Sequence, residues 1–295
     1  MASLPGIFPA PLIAALCIGA AHAQDAAALH AREAALGGRL AKNQFQKPLV
    51  IESRQAHGVL EGDVYAVVAY PYGIVGPALQ GMDHWCDILM VHLNVKDCVA
   101  HGSGRESILS VALGRRFDQP LADAYRIDFA YRVASSTPAY LEVLLTAGAG
   151  PLGTKDYRIV LEATPADART TFVHMSYSYA YGAAAGLAMQ GYLATIGRDK
   201  VGFTIVDRDP DGAPVYLGDV RGVIERNTMR YYLAIEGYLA AYALPAAEQP
   251  ERRLQSWFAA VERYPRQLHE MQRDEYLSMK HRELARQRAE SAKPD

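Results

Sequence analysis

Hydrophobic positions change their period along this chain, and each change marks an element. Leu12 to Ala21 is a short unbroken apolar run that closes on Ala21-His22-Ala23 before the polar Gln24-Asp25. This is the pattern of a secretory leader with an A-x-A cleavage site, too short for a membrane span. Residues 1–23 are therefore expected to be removed, with only the α-amino group supplying positive charge ahead of the run. Cys17 follows Leu16, where a lipid-modified cysteine calls for a small residue. Asp25 to Lys42 is Ala-rich with helical propensity, so residues 24–47 read as a helical lead-in without chemistry of its own. From Pro48 the chain turns to extended segments. Leu49-Val50-Ile51 and Val59 to Tyr70 read as strands, the second ended by Pro71. Ile74, Val75, Ala78 and Leu79 then suit one helical face, and Trp85, Ile88 and Leu89 the next, with Gly81-Met82-Asp83 as the break between two short helices.

Six strand-like segments follow: His92 to His101, Ser107 to Phe117, Tyr125 to Val133, Tyr140 to Ala147, Tyr157 to Ala163 and Thr170 to Ala180. Tyr125, Ile127, Phe129, Tyr131 and Val133 alternate with Arg126, Asp128, Ala130 and Arg132, the signature of a strand with one buried face. In the last segment Val173, Met175, Tyr177, Tyr179 and Tyr181 share a face opposite His174, Ser176 and Ser178. Turn-forming residues such as Ser135-Ser136-Thr137-Pro138 and Pro165-Ala166-Asp167 join neighbours, which predicts an antiparallel meander. Ala183 to Ile196 returns to helix, with Leu187, Met189, Tyr192 and Leu193 apolar. A hairpin from Val201 to Val206 and Val215 to Leu217, across an Asp-Pro-Asp-Gly turn, precedes the longest helical pattern, Val220 to Leu244. The tail carries Leu254, Trp257, Phe258 and Val261 at helical spacing, a break at Pro265, and a strongly charged helix with Leu268, Met271 and Leu284.

A strand, two short helices, six antiparallel strands and a helix is the element order of the START-like, or SRPBCC, helix-grip superfamily, which the chain resembles over Pro48 to Ile196. The Tyr70-Pro71 entry into the first helix and Trp85 near the end of the helix pair also carry the resemblance. It implies an α+β fold in which a curved antiparallel sheet wraps a helix and encloses a cavity for lipids, sterols, polyketides or other apolar molecules. The chain is an exported, divergent case: Ala183 to Ile196 is short for a grip helix, and Val220 to Leu244 is the alternative. On this reading residues 48–244 form the START-like domain and residues 245–295 a charged C-terminal helical extension. No internal repeat is present.

Half of the residues are apolar, and 30 basic residues against 32 acidic ones exclude an electrostatic case for nucleic acid. Tyr outnumbers Phe and Trp combined, 18 against 7 and 2. Tyrosine suits a core bordering a polar or water-accessible cavity, and equally suits ordinary strands. With the leader removed, Cys86 and Cys98 remain in an oxidising compartment and are expected to pair; a catalytic thiolate beside His84 or His92 is the competing reading. His84, Cys86, His92, Cys98 and His101 match no common zinc spacing. Asp207 to Gly212 opens like a calcium loop but has Gly218 where a bidentate Glu is needed, so a hairpin turn explains it with less. The Gly-rich stretches Gly102-Ser103-Gly104 and Gly148 to Gly153 lack P-loop chemistry. Glu225, Arg226, Asn227 and Arg230 form a polar cluster within the long helix; Arg226 and Arg230 share a face and call for a ligand headgroup or, more simply, solvent or a bridge to Asp219 or Glu236.

These features point first to a non-catalytic periplasmic protein, secreted across the inner membrane, that holds an apolar small molecule or lipid between sheet and helix. No cofactor, metal or transmembrane segment of the mature chain is expected. The candidate cavity residues are Trp85, Tyr131, Tyr177, Tyr179, Tyr181, Met189, Tyr192, Arg226 and Arg230. A cyclase or hydratase using His174 or Asp128 as general acid or base is a second reading. An envelope interaction module, with Trp257 and Phe258 exposed on the tail, is a third.

Overall fold

The computed structural model describes residues 14 to 291, apart from 184, 185, 188, 190 and 192 to 198. Its elements are α1 (Ala14–Ala41), β1 (Leu49–Ala56), β2 (Val59–Val68), α2 (Tyr72–Leu79), α3 (Met82–Met90), β3 (Val95–His101), β4 (Ile108–Leu113), β5 (Tyr125–Thr137), β6 (Tyr140–Ala149), β7 (Thr154–Pro165) and β8 (Thr171–Tyr181). The hairpin β9 (Ile205–Arg208) and β10 (Pro214–Tyr216) follows, then α4 (Asp219–Ala241), α5 (Gln249–Val261), α6 (Pro265–Leu268) and α7 (Arg273–Ser291). Eight strands form one antiparallel sheet in the order β1-β2-β8-β7-β6-β5-β4-β3. The fold is the α+β helix-grip arrangement, a curved antiparallel sheet around a helix with further C-terminal helices.

Alternation sorts the sheet's side chains onto two faces. On β8, Val173, Met175, Tyr177 and Tyr179 join the main core, whereas Phe172 packs with Val50, Tyr65 and Tyr140 against Leu29, Leu36 and Leu40 of α1. The lead-in helix therefore covers the outer face. The expected cleavage point at Ala23 falls inside α1, and Met1 to Ile13 lie outside the described residues.

The inner face grips α4, which takes over from the expected Ala183 to Ile196. Of that segment the structure describes helical positions at 183, 186, 187, 189 and 191. Met189 packs on the core, but Leu187 is 72% exposed rather than facing inward. Helix α4 lies close to β2 because Gly62 has no side chain there: a Cβ would stand 2.4 Å from Thr228 Oγ1. Glu225, fully buried, accepts from Ser53 Oγ on β1 at 2.7 Å, from the Phe203 and Thr204 amides at 2.6 and 2.9 Å, and from Thr204 Oγ1 at 2.6 Å. The hairpin expected from Val201 is a regular ladder only from Ile205: Gly202 N donates to Leu217 O at 2.6 Å and Leu217 N to Thr204 O at 2.8 Å, while the Phe203 and Thr204 amides turn to Glu225.

Cys86 and Cys98 form a disulfide with Cα atoms 5.2 Å apart, joining α3 to β3. Beside it, α7 covers the free edge of β3: Arg286 Nη2 donates to Lys96 O at 2.5 Å and Gln287 Nε2 to Cys98 O at 2.8 Å. Lys96 and Lys280 share the buried Glu283 carboxylate at 2.9 and 2.6 Å, and Lys280 also donates to the carbonyls of His92 and Val95. Burial lowers the Lys280 ammonium to about 8, partly offset by Glu283.

Two outcomes are expected. Thiol labelling of denatured, unreduced protein finds no free Cys86 or Cys98, and replacing both with Ala costs about 3 kcal/mol in urea unfolding. Glu283→Gln, which leaves two buried ammonium groups without a carboxylate, costs about 3–5 kcal/mol, whereas Lys280→Met costs less because the Lys96–Glu283 pair remains balanced.

Candidate functional site

The residues that meet on the concave face come from six separated stretches. Phe129 on β5, Tyr157 on β7, and Tyr177 and Tyr179 on β8 point inward by strand alternation, and Tyr231 on α4 descends onto them. Tyr157 stacks on Tyr179 with centroids 5.4 Å apart, and Tyr177 meets Tyr231 edge-on at 5.4 Å. His92, in the turn after α3, stacks on the far side of Tyr231 at 4.9 Å. Trp257 of α5 closes the group behind His92 and donates its Nε1–H to Arg230 O at 3.1 Å.

Polar tips in this cluster are unevenly satisfied. Tyr157 Oη bonds Thr154 Oγ1 at 2.6 Å, and Tyr179 Oη contacts Met189 Sδ at 3.8 Å. Burial pushes the phenols of Tyr177 and Tyr231 well above their ordinary value. Burial, with Arg230, Lys280 and Lys96 nearby, drives the His92 pKa well down, so its ring is neutral. Its Nδ1 accepts from the Asn94 amide at 3.2 Å, which places the proton on Nε2, and that buried N–H donates to nothing. His92 Nε2–H is thus a buried donor without a partner, set beside the Tyr231 ring in a largely aromatic wall. A buried donor without a partner costs about 1–3 kcal/mol, so such a group favours a guest that brings an acceptor.

The other expected cavity residues have fixed employment. Trp85 is sealed in the core and donates to Leu79 O at 2.8 Å, and Tyr131 Oη donates to Gln80 O at 2.8 Å. Tyr181 Oη accepts from Gln55. Tyr192 lies outside the described residues. Arg226 and Arg230 are buried, and Arg230 pairs with Glu270 at 2.8 Å. Glu270, from the turn before α7, also takes Arg116. Glu236 is held instead by Lys47 and Tyr232.

His174 and Asp128 sit on the outer face. His174 bridges Asp63 at 2.9 Å and Glu162 at 2.7 Å beneath Tyr65, whose ring stacks on it at 4.3 Å. Asp128 accepts from Ser110 Oγ. Trp257 and Phe258 are buried against Tyr276 rather than exposed. The disulfide consumes both thiolates of the paper zinc set. Asp209 Oδ1 accepts from the Asp211 and Ala213 amides, as a hairpin turn requires. Among the described residues no group of His, Cys, Asp or Glu is placed to hold a metal ion. None of their helices is long and apolar enough to cross a membrane.

No family model matches the chain, and no curated protein matches it. Solved structures similar to it include the ZhuI aromatase/cyclase from a Streptomyces species, 9% identical with a TM-score of 0.35 over 70% of this chain and 95% of that one. A START superfamily protein from Mycobacterium smegmatis is 10% identical, with a TM-score of 0.31 over 51% and 95%. Ara h 8.0201 is 10% identical, with a TM-score of 0.37 over 62% and 98%.

One pH dependence follows from the outer face. Burial disfavours the His174 imidazolium, but hydrogen bonds and charge from Asp63 and Glu162 outweigh it and raise its pKa to about 9. With the folded value above the unfolded one, this stabilisation is complete below the ordinary imidazole range and is lost as pH rises through about 9. Its size is at most of order 3 kcal/mol. Denaturant midpoints should fall between about pH 6.5 and pH 9.5, and His174→Gln should flatten that fall.

Proposed function

We propose that the protein is an exported, non-catalytic carrier that holds an apolar ligand, such as a lipid, sterol-like or polyketide-like molecule, against the concave face of the sheet. The observation that carries this reading is the buried, unpartnered donor at His92 Nε2, stacked on Tyr231 within a wall of Tyr157, Tyr177 and Tyr179 rings. An apolar body packs on the rings, and one or two acceptor atoms satisfy this donor and meet the hydroxyls of Tyr177 and Tyr231. The disulfide supports export to an oxidising compartment such as the periplasm.

Binding without chemistry fits the protonation states. His92 has its acceptor nitrogen committed to the Asn94 amide and offers only a donor, so it is set to orient a carbonyl or hydroxyl rather than to remove a proton. The acid–base residues suggested for a cyclase, His174 and Asp128, stand on the opposite face of the sheet.

Mass spectrometry of protein purified from its native host is expected to show a bound apolar molecule. In Tyr177→Phe with Tyr231→Phe, uptake of an apolar ketone such as progesterone should weaken by about tenfold, with the fold intact. An empty spectrum together with no uptake of apolar probes overturns the proposal.

A further inference from the structure

A cavity lies away from the tyrosine cluster, where the C-terminal helices meet α3. It has a volume of about 400 Å³ and is walled by Met90 at the end of α3, Val91 just after it, Leu254 of α5 and Leu284 of α7. That size is within the range of small-molecule sites. Charged groups line it unequally: Arg253 and Arg288 against Asp87 alone.

Arg253 makes this a built site rather than a surface dent. Its side chain is only 8% exposed. Nη1 pairs with Asp87 at 2.8 Å, Nη2 donates to Gln249 Oε1 at 2.5 Å, and the guanidinium lies over the Tyr238 ring at 4.7 Å. The remaining donor, Nε–H, is buried and bonded to nothing. Asp87 is a poor full-time counterion: its carboxylate is half exposed, and burial raises its pKa despite Arg253.

We infer that this cleft binds a single-chain alkyl carboxylate. The chain lies among Met90, Val91, Leu254 and Leu284, and the carboxylate is held by Arg253, with Arg288 adding positive charge at the rim. A guanidinium with an unused N–H beside an apolar slot matches an acid headgroup on an alkyl tail and discriminates against the corresponding alcohol. The site is independent of the concave-face ligand, and it shares no residue with the His92, Tyr177 and Tyr231 cluster.

Calorimetric titration of the full mature chain with decanoate and with 1-decanol tests this. Decanoate should bind, and decanol at least about tenfold more weakly. Arg253→Met should remove that preference, and Leu284→Trp, which fills the slot without touching the ion pair, should abolish decanoate binding while circular dichroism stays unchanged. Tyr177→Phe with Tyr231→Phe should leave decanoate binding as it was, so failure here is distinguishable from failure of the concave-face reading. Equal binding of acid and alcohol, binding that survives Leu284→Trp, loss of binding in the tyrosine variant, or no binding of decanoate would each overturn the inference.

Discussion

The position of α4 depends on one buried carboxylate. Glu225 has no exposed surface, yet it accepts four hydrogen bonds, from β1 and from the strap at Phe203 and Thr204. Charge-assisted bonds of this kind contribute about 1.5–3 kcal/mol each, and removing their common acceptor would strand several buried donors together. The close approach depends on missing side chains. Gly62 admits Thr228, while Gly202 and Gly222 let the strap and helix backbones come within about one atom's contact of each other. The axis so fixed carries Tyr231 onto Tyr177, edge-on at 5.4 Å.

The C-terminal extension completes the electrostatics of this arrangement. Glu270 neutralises Arg230 on α4, and Glu283 sits between Lys96 and Lys280. Burial, with the positive charge of Arg230, Lys280 and Lys96 adding to it, keeps the His92 imidazole neutral, so that it presents a donor to the aromatic cluster. Tyr276 ties the same helix to Val91 O at 2.7 Å, next to His92 in the chain. Residues after Leu244 therefore set the chemistry of residues near the concave face, although their local pattern is that of a solvated charged tail.

Much of the fold was legible because it is encoded locally. Period-two alternation and turn residues marked β3 to β8 within a few positions, Gly81 marked the helix break, and two cysteines left in a chain expected to meet an oxidising compartment marked the bridge. What escaped is long-range pairing. Nothing near Arg230 announces Glu270, and nothing in Glu283 announces two lysines to share. The identity of the grip helix turned on Gly62 meeting Thr228, a contact between residues far apart in sequence. In the sequence His92 stands out only as a neighbour of the cysteines, since its stacking on Tyr231 has no local signal. Leu29, Leu36 and Leu40 were a usable signal for α1 on the outer face, for they recur at helical spacing within an otherwise small and polar segment.

The central claim is that His92 and the two tyrosine hydroxyls hold the polar end of an apolar ligand. Nitrogen-15 NMR of histidine-labelled protein tests it most directly. The account predicts that His92 stays neutral with its proton on Nε2 from acid to mildly basic pH, and that adding progesterone shifts the Nε2 resonance of His92 while leaving His174 unmoved. A His92 that titrates near the ordinary imidazole value, or one whose Nε2 does not respond to a ligand that binds, would contradict it.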